Sequence, residues 1–77
     1  MNTYCLNDIP VGQSAWVDEL LSTGSIRRRL LDIGITKGTQ ATCLYQSPSG
    51  DPRAYFIRGA VIALRKEDAA CVAIKAG

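Results

Sequence analysis

The chain has 77 residues, of which 47% are hydrophobic, and a formal net charge of +2 at pH 7. This length provides for one small hydrophobic core, so we expect a single domain over residues 1–77. The apolar content excludes a disordered chain, and the slight charge lacks the strong basic excess typical of nucleic-acid-binding proteins.

Three features of the chain bear on its compartment. Residues 1–8 contain neither a basic leader nor an apolar core region, so no signal peptide is expected. The longest apolar run, residues 60–64, is far shorter than the roughly 20 residues that cross a bilayer. The cysteines Cys5, Cys43 and Cys71 are widely spaced and odd in number, which favours a reducing cytosol over a disulfide framework. We therefore expect a cytoplasmic protein without direct membrane insertion.

The first clear strand pattern runs from Ser14 to Leu21. Ala15 and Val17 fall on one face of this strand and Trp16 on the other. The alternation fails at Leu20 and Leu21, which predicts a bulge or the end of the strand there.

A short helix follows this strand. Ser25 is predicted as its N-cap, since a serine hydroxyl can accept from the free N–H groups of the first turn. Three apolar residues with helical spacing form its buried stripe: Ile26, Leu30 and Ile33. Gly34 is expected to end the helix in the left-handed conformation, with Ile35 folding back onto Leu30.

The chain then alternates strand patterns with turn signals. Residues 39–45 are rich in β-branched and aromatic side chains and predict a strand. The turn-forming residues 46–52 predict that this strand doubles back into a further strand over residues 53–58. Gly59 indicates a bulge or sharp bend before a fourth strand over residues 60–64.

Alternation assigns two faces to the strand over residues 53–58. Tyr55 and Ile57 are expected on the core face, and Ala54, Phe56 and Arg58 on the opposite one.

Residues 65–69 are polar and predict a one-turn 3₁₀ helix, and residues 71–75 predict a last strand with Val72 and Ile74 inward. The predicted fold is mainly β, a small SH3-like barrel of about five antiparallel strands. One short α-helix follows the first strand and plugs an open end of the barrel, and the 3₁₀ turn precedes the last strand.

Residue types that carry chemistry are scarce. The chain contains no histidine, the commonest general base and a common ligand of zinc and iron. The adjacent acids Asp18 and Glu19 should point to opposite faces of their strand and so should not converge on one ion. No nucleophile with a paired base is visible. We therefore predict that the chain is not an enzyme and has no catalytic residue, resident metal or cofactor.

The one conspicuous charge run is Arg27-Arg28-Arg29 on the predicted helix. With the apolar stripe inward, Arg28 points outward and Leu31 lies off the stripe, near Arg27. An exposed leucine beside arginines resembles the apolar anchor and charged rim of a protein interface. We predict that Arg27, Arg28 and Leu31 bind a protein partner, the alternative being an ordinary solvated helix face.

Two segments in particular resemble the FeoA family of small bacterial ferrous-iron-transport accessory proteins. They are residues 29–39, Arg-Leu-Leu-Asp-Ile-Gly-Ile-Thr-Lys-Gly-Thr, and residues 64–69, Leu-Arg-Lys-Glu-Asp-Ala. The resemblance extends from about Leu6 to Ile74 and also includes Gly50-Asp51-Pro52 and Arg58-Gly59. It implies an SH3-like barrel and partnership with FeoB, a membrane ferrous iron transporter that carries a GTP-binding domain. It implies neither catalysis nor a metal-ligand motif.

Three other functions remain open at this stage. A nucleic-acid-binding barrel would use Arg27, Arg28, Arg29 and Arg53 on phosphates, although no nucleic acid is expected at this net charge. A peptide-binding SH3 domain would need an aromatic-lined groove. Direct binding of ferrous iron would depend on carboxylates and thiols. An exposed edge strand could also pair two copies into a homo-oligomer.

Overall fold

The computed structural model describes residues 4–75, which form a six-stranded antiparallel sheet with two short helices. The strands are β1 (Tyr4–Cys5), β2 (Ser14–Leu20), β3 (Gln40–Gln46), β4 (Arg53–Ile57), β5 (Ala60–Leu64) and β6 (Val72–Lys75). The helices are α1 (Gly24–Ile33) and α2 (Lys66–Ala69), and a 3₁₀ turn spans Leu6–Asp8. The strand order is β1-β6-β2-β3-β4-β5. The mainly β prediction is confirmed, with β1 as an additional strand that the sequence did not indicate.

One apolar core joins the inner face of the sheet to α1. Its fully buried large side chains come from the 3₁₀ turn, from α1 and the loop after it, and from four strands: Leu6, Leu30, Ile35, Val17, Cys43, Tyr55, Ile57 and Val72. Burying such side chains is the main favourable contribution to the stability of so small a domain.

The C-terminus of α1 has the predicted geometry. Gly34 lies in the left-handed region with a φ of 105°, which costs a residue without Cβ nothing. The Ile35 N–H donates to the Leu30 carbonyl and the Gly34 N–H to the Leu31 carbonyl, both at 3.0 Å. These two bonds are the Schellman motif, and Ile35 and Leu30 are both fully buried.

The predicted N-cap of α1 is wrong. The cap is Thr23, whose side chain makes no capping hydrogen bond, and Ser25 lies within the helix. The chain enters the helix through Gly24, whose φ of 70° is accessible at low cost only to glycine. The turn into α1 therefore depends on a glycine backbone instead of a serine hydroxyl.

The predicted end of β2 is confirmed, since the strand ends at Leu20, and its bulge lies earlier in the strand. The register shift lies between Val17 and Glu19, and Leu20 still pairs with Val72. At this shift the Val17 backbone also accepts from Gly38 and donates to Thr39, both at 2.8 Å. The bulge thus lets β2 bond to β6 and to the loop before β3 at one point.

The faces of β4 agree with the prediction except at one residue. Tyr55 and Ile57 are buried and Phe56 is exposed, as expected. Ala54 was expected outside but is buried. Its direct cross-strand neighbours are Tyr45 on β3 and Ala63 on β5. A methyl group between two such neighbours is easily covered.

Arg58 and Gly59 form the tight turn that joins β4 and β5. Both residues have positive φ, 51° and 83°, and Ile57 pairs with Ala60 directly across the turn. This is the pattern of a two-residue hairpin turn whose twist matches that of the flanking strands. The sharp bend expected at Gly59 is confirmed.

The helix before the last strand is α-helical, so the 3₁₀ prediction is wrong. The Ala69 and Ala70 amides donate to the carbonyls four residues earlier, at 2.9 Å each. The Asp51 carboxylate accepts from the Lys66 N–H at 2.8 Å. This hydrogen bond from a distant loop gives a first-turn N–H of α2 a partner and so stabilises the start of the α-helix.

The last strand is buried on more than one face. Val72 points inward as predicted, and Ile74 is only half-buried. Ala73 is also buried, because β6 lies between β1 and β2 and pairs Ala73 with both Cys5 and Glu19. Neither helix in the described part of the chain has the length and apolar character needed to cross a membrane.

Candidate functional site

Helix α1 carries the predicted partner-binding residues on the face opposite its core stripe. Leu30 is completely buried, while Arg27 and Arg28 are exposed and Leu31 is 40% exposed. Leu31 follows Arg27 by four positions and Arg28 by three, so the three side chains are neighbours on the helix surface. The sequence therefore placed these residues correctly, and their role remains a prediction.

Part of this face borders a groove of about 330 Å³ between α1 and β2, which we call the α1–β2 groove. It is lined by two acids, two bases, two leucines and a threonine: Asp18, Glu19, Arg27, Lys37, Leu20, Leu31 and Thr36. Arg28 is exposed but lies outside this lining.

The two acids of β2 line the same groove, contrary to the expectation that they diverge. Strict alternation would send Asp18 and Glu19 to opposite faces, but the register shift falls between Val17 and Glu19. A bulge commonly re-aims side chains in this way. The sequence pair was visible, but the position of the bulge depends on pairing with β6 and could not be inferred from local pattern.

The α1–β2 groove combines apolar surface with charges of both signs. Leu31 and the half-buried Leu20 supply apolar surface, and Arg27 and Lys37 stand near the acids of β2. Such a surface suits an apolar side chain of a partner, surrounded by polar contacts that set orientation.

Arg29 differs from its two neighbours in the charge run. Its guanidinium donates to the Asp68 carboxylate of α2 at 2.7 Å, and Asp68 is only 6% exposed. This bond ties α1 to α2 across 39 residues of sequence. No local signal could have separated this structural arginine from Arg27 and Arg28.

Two of the four arginines that the nucleic-acid alternative assigned to phosphates are bonded within the protein. Arg53 is buried, and its guanidinium donates to the backbone carbonyls of Asn7 and Ile9. Arg29 is held by Asp68. The expectation that Arg53 could contact phosphates is therefore wrong, because this side chain anchors the N-terminal segment to β4.

The alternative of direct iron binding would depend on carboxylates and thiols. Within residues 4–75, no group of three or more His, Cys, Asp or Glu side chains could hold a metal ion. Cys43 is fully buried. Burial raises the pKa of the Cys5 thiol, and the neighbouring Asp8 carboxylate raises it further, so this thiol is held neutral.

Comparison with known proteins matches residues 4–76 to the FeoA domain. A fusion of Fe(2+) transport protein A with the Fe(2+) transporter FeoB from Porphyromonas gingivalis is 30% identical over 70 residues. This match covers 91% of the chain, and the chain spans 8% of the length of that fusion protein.

Comparison with solved structures points to the same family. A FeoA-like protein from Clostridium acetobutylicum superimposes with a TM-score of 0.90 at 28% identity, covering 99% of this chain and 88% of that one. Stenotrophomonas maltophilia FeoA, crystallised with zinc, gives 0.83 at 26% identity, covering 94% and 89%. It is described as a prokaryotic SH3 domain protein and a candidate activating factor of ferrous iron transport. FeoA is not an enzyme family, and its link is to ferrous iron transport. Because the FeoA domain matches residues 4–76, nearly the whole length of the chain, the chain belongs to the FeoA family.

Proposed function

We propose that this chain is a cytoplasmic accessory protein of ferrous iron uptake. It docks on the GTP-binding part of a FeoB-type membrane transporter through Arg27, Arg28 and Leu31 on α1. Ferrous iron is the cargo of the transporter in this scheme, and the chain acts by protein contact.

The observation that carries the proposal is the fused relative from Porphyromonas gingivalis, in which a FeoA part and a FeoB part share one polypeptide. Joining two proteins by a linker replaces an encounter between molecules by an intramolecular one at high effective concentration. A fusion of this kind is useful to a cell when the two parts work in contact. We carry this relation over to the present chain, in which the FeoA part matches over residues 4–76.

The chemistry of the α1 surface supports the choice of docking site. Leu31 is a large apolar side chain that is 40% exposed, although its neighbour Leu30 is buried in the core. Arg27 and Arg28 are exposed beside it. Arginine is enriched among the residues that contribute most of the binding energy at protein interfaces.

Binding of the purified chain to the purified GTP-binding part of a FeoB-type transporter tests the proposal. We expect binding by calorimetry at low and moderate salt, and at least a tenfold loss of affinity for Leu31→Asp, because a carboxylate would replace the apolar anchor. The melting temperature of this variant should remain near that of the wild type.

Val11→Asp is the matched control. Val11 is 50% exposed in the turn before β2 and does not line the α1–β2 groove. It should bind like the wild type. Absence of wild-type binding would refute the proposed partner, whereas equal binding by Leu31→Asp and Val11→Asp would refute the docking site alone.

A further inference from the structure

Strand β5 is an unprotected sheet edge. The sheet described here ends at β5, whose residues 60–64 are Ala-Val-Ile-Ala-Leu. Natural edge strands usually carry a charge, a proline or a bulge that prevents pairing with another chain. β5 has none of the three, and Val61 is 60% exposed.

The hairpin turn defines which backbone groups of β5 are free to pair. A two-residue turn makes the residues that flank it a hydrogen-bonded pair, here Ile57 and Ala60. Bonded and non-bonded pairs alternate along antiparallel strands, so Ile62 and Leu64 also bond to β4. The N–H and C=O groups of Val61 and Ala63 therefore point away from β4.

A groove of about 320 Å³ lies between this part of the molecule and α1, and we call it the α1–β5 groove. It is lined by Arg29, Ile33, Ala63, Leu64, Arg65, Glu67 and Asp68. Two hydrogen bonds fix α1 relative to the sheet, one beyond each end of β5. Arg29 bonds Asp68 at 2.7 Å at one end, and the Arg58 Nε donates to the Gly34 carbonyl at 3.0 Å at the other.

The charges around β5 select the kind of segment that could pair with it. Arg58 precedes the strand, Arg65 and Lys66 follow it, and all three are exposed. Two acids also line the groove, but Asp68 is paired with Arg29, so Glu67 is the one exposed acid of the lining and the exposed cations outnumber it. Antiparallel pairing of two copies of β5 would bring these cations against one another. A segment with acidic residues would instead meet opposite charges.

We propose that the α1–β5 groove binds an extended acidic segment of another protein as an additional strand. Its backbone pairs with Val61 and Ala63, and an apolar side chain enters between Ile33 and Leu64. Its carboxylates meet Arg58 and Arg65. Strand addition of this type draws affinity from the main chain and selectivity from side chains on alternate positions. The proposal is independent of the identity of the transporter.

An NMR titration tests this binding mode. The probe is a pool of synthetic hexapeptides in which Asp or Glu alternates with Val, Ile or Leu. We expect the pool to shift the amide signals of Val61, Ala63 and Ile33, and to slow hydrogen exchange of the Val61 and Ala63 amides at least tenfold. A pool in which Lys and Arg replace the acids should not bind. Equal effects of both pools, or shifts confined to other regions, would overturn the proposal.

Two variants separate main-chain pairing from charge. Ala63→Pro removes an N–H that the sheet does not use, and proline is tolerated at such edge positions. It should abolish binding of the acidic pool. Should this variant not fold, Arg65→Glu provides the second test and should weaken binding at least fivefold.

Lys75→Glu, an exposed change of the same charge on β6, is the control and should bind like the wild type. Equal loss for Arg65→Glu and Lys75→Glu would show a general charge effect and overturn the proposal. Dimerisation of the free chain through β5, seen by sedimentation, would also overturn it in favour of a second copy.

Discussion

The two grooves beside α1 are similar in size but differ in what they offer a partner. The α1–β2 groove presents an exposed leucine and charges of both signs. The α1–β5 groove also has charges of both signs in its lining, but it presents the free edge of a strand beside a half-buried isoleucine, with exposed cations at both ends of the strand. The first is suited to recognition by side chains, and the second to recognition by the main chain.

The difference arises from how the sheet ends on each side of the helix. β2 is an interior strand that pairs with β3 over residues 14–16 and with β6 over residues 16–20, and it contributes Asp18, Glu19 and Leu20 to the first groove. β5 has one neighbour, so its backbone is available to the second groove. One short helix can therefore serve two partners of different chemistry.

The largest expected effect separates the two faces of α1. Leu30→Ala should lower the free energy of unfolding by about 2–5 kcal/mol, because Leu30 is completely buried and its loss leaves a cavity. Leu31→Ala should lower it by only about 0.5 kcal/mol, as for other surface changes. Urea denaturation of both variants measures the contrast. Similar costs for the two would mean that Leu31 belongs to the core.

A smaller effect separates neighbouring arginines. Arg29→Met should lower the free energy of unfolding by about 1 kcal/mol, because it leaves the nearly buried Asp68 carboxylate without its ion-pair partner. The cost is no larger because the Arg29 side chain is largely exposed. Arg28→Met should leave the free energy of unfolding nearly unchanged. Thermal denaturation at matched ionic strength measures both. A costly Arg28→Met would indicate that its side chain also supports the fold and weaken its assignment to the docking face.

An effect of similar size tests the core on which both grooves rest. The Tyr55 hydroxyl donates to the Leu6 carbonyl at 3.2 Å, and Tyr55→Phe should cost about 1 kcal/mol while leaving both binding sites unchanged.

Burial raises the pKa of Tyr55 from 10.0 to about 12, so the folded state favours the neutral phenol. Its contribution to stability is complete below pH 10 and is lost as the pH rises through about 12. Denaturation between pH 9 and 12 should show a steeper loss for the wild type than for Tyr55→Phe. Parallel curves would contradict this assignment.

Local pattern predicted most of the features that local physics determines, although it misplaced the N-cap of α1. The stripe of α1, the Schellman end at Gly34 and the core face of Tyr55 and Ile57 each depend on residues close in sequence, and each is confirmed. Features that depend on distant partners were missed. The bulge in β2 is defined by β6, and α2 is capped by Asp51.

The same limit applies to the candidate sites. The exposed trio on α1 follows from helical periodicity alone. The role of Arg29 depends on Asp68, and the burial of Arg53 depends on the carbonyls of Asn7 and Ile9. The free edge of β5 became visible only when the strand order was known.

The most direct test of the central claim is amide chemical-shift mapping of the chain with the GTP-binding part of a FeoB-type transporter. We predict that the largest changes will fall on Arg27, Arg28, Leu31 and the β2 side of the α1–β2 groove, and that Leu31→Asp will remove them. Changes confined to β5, or to surfaces far from α1, would contradict the proposed docking face.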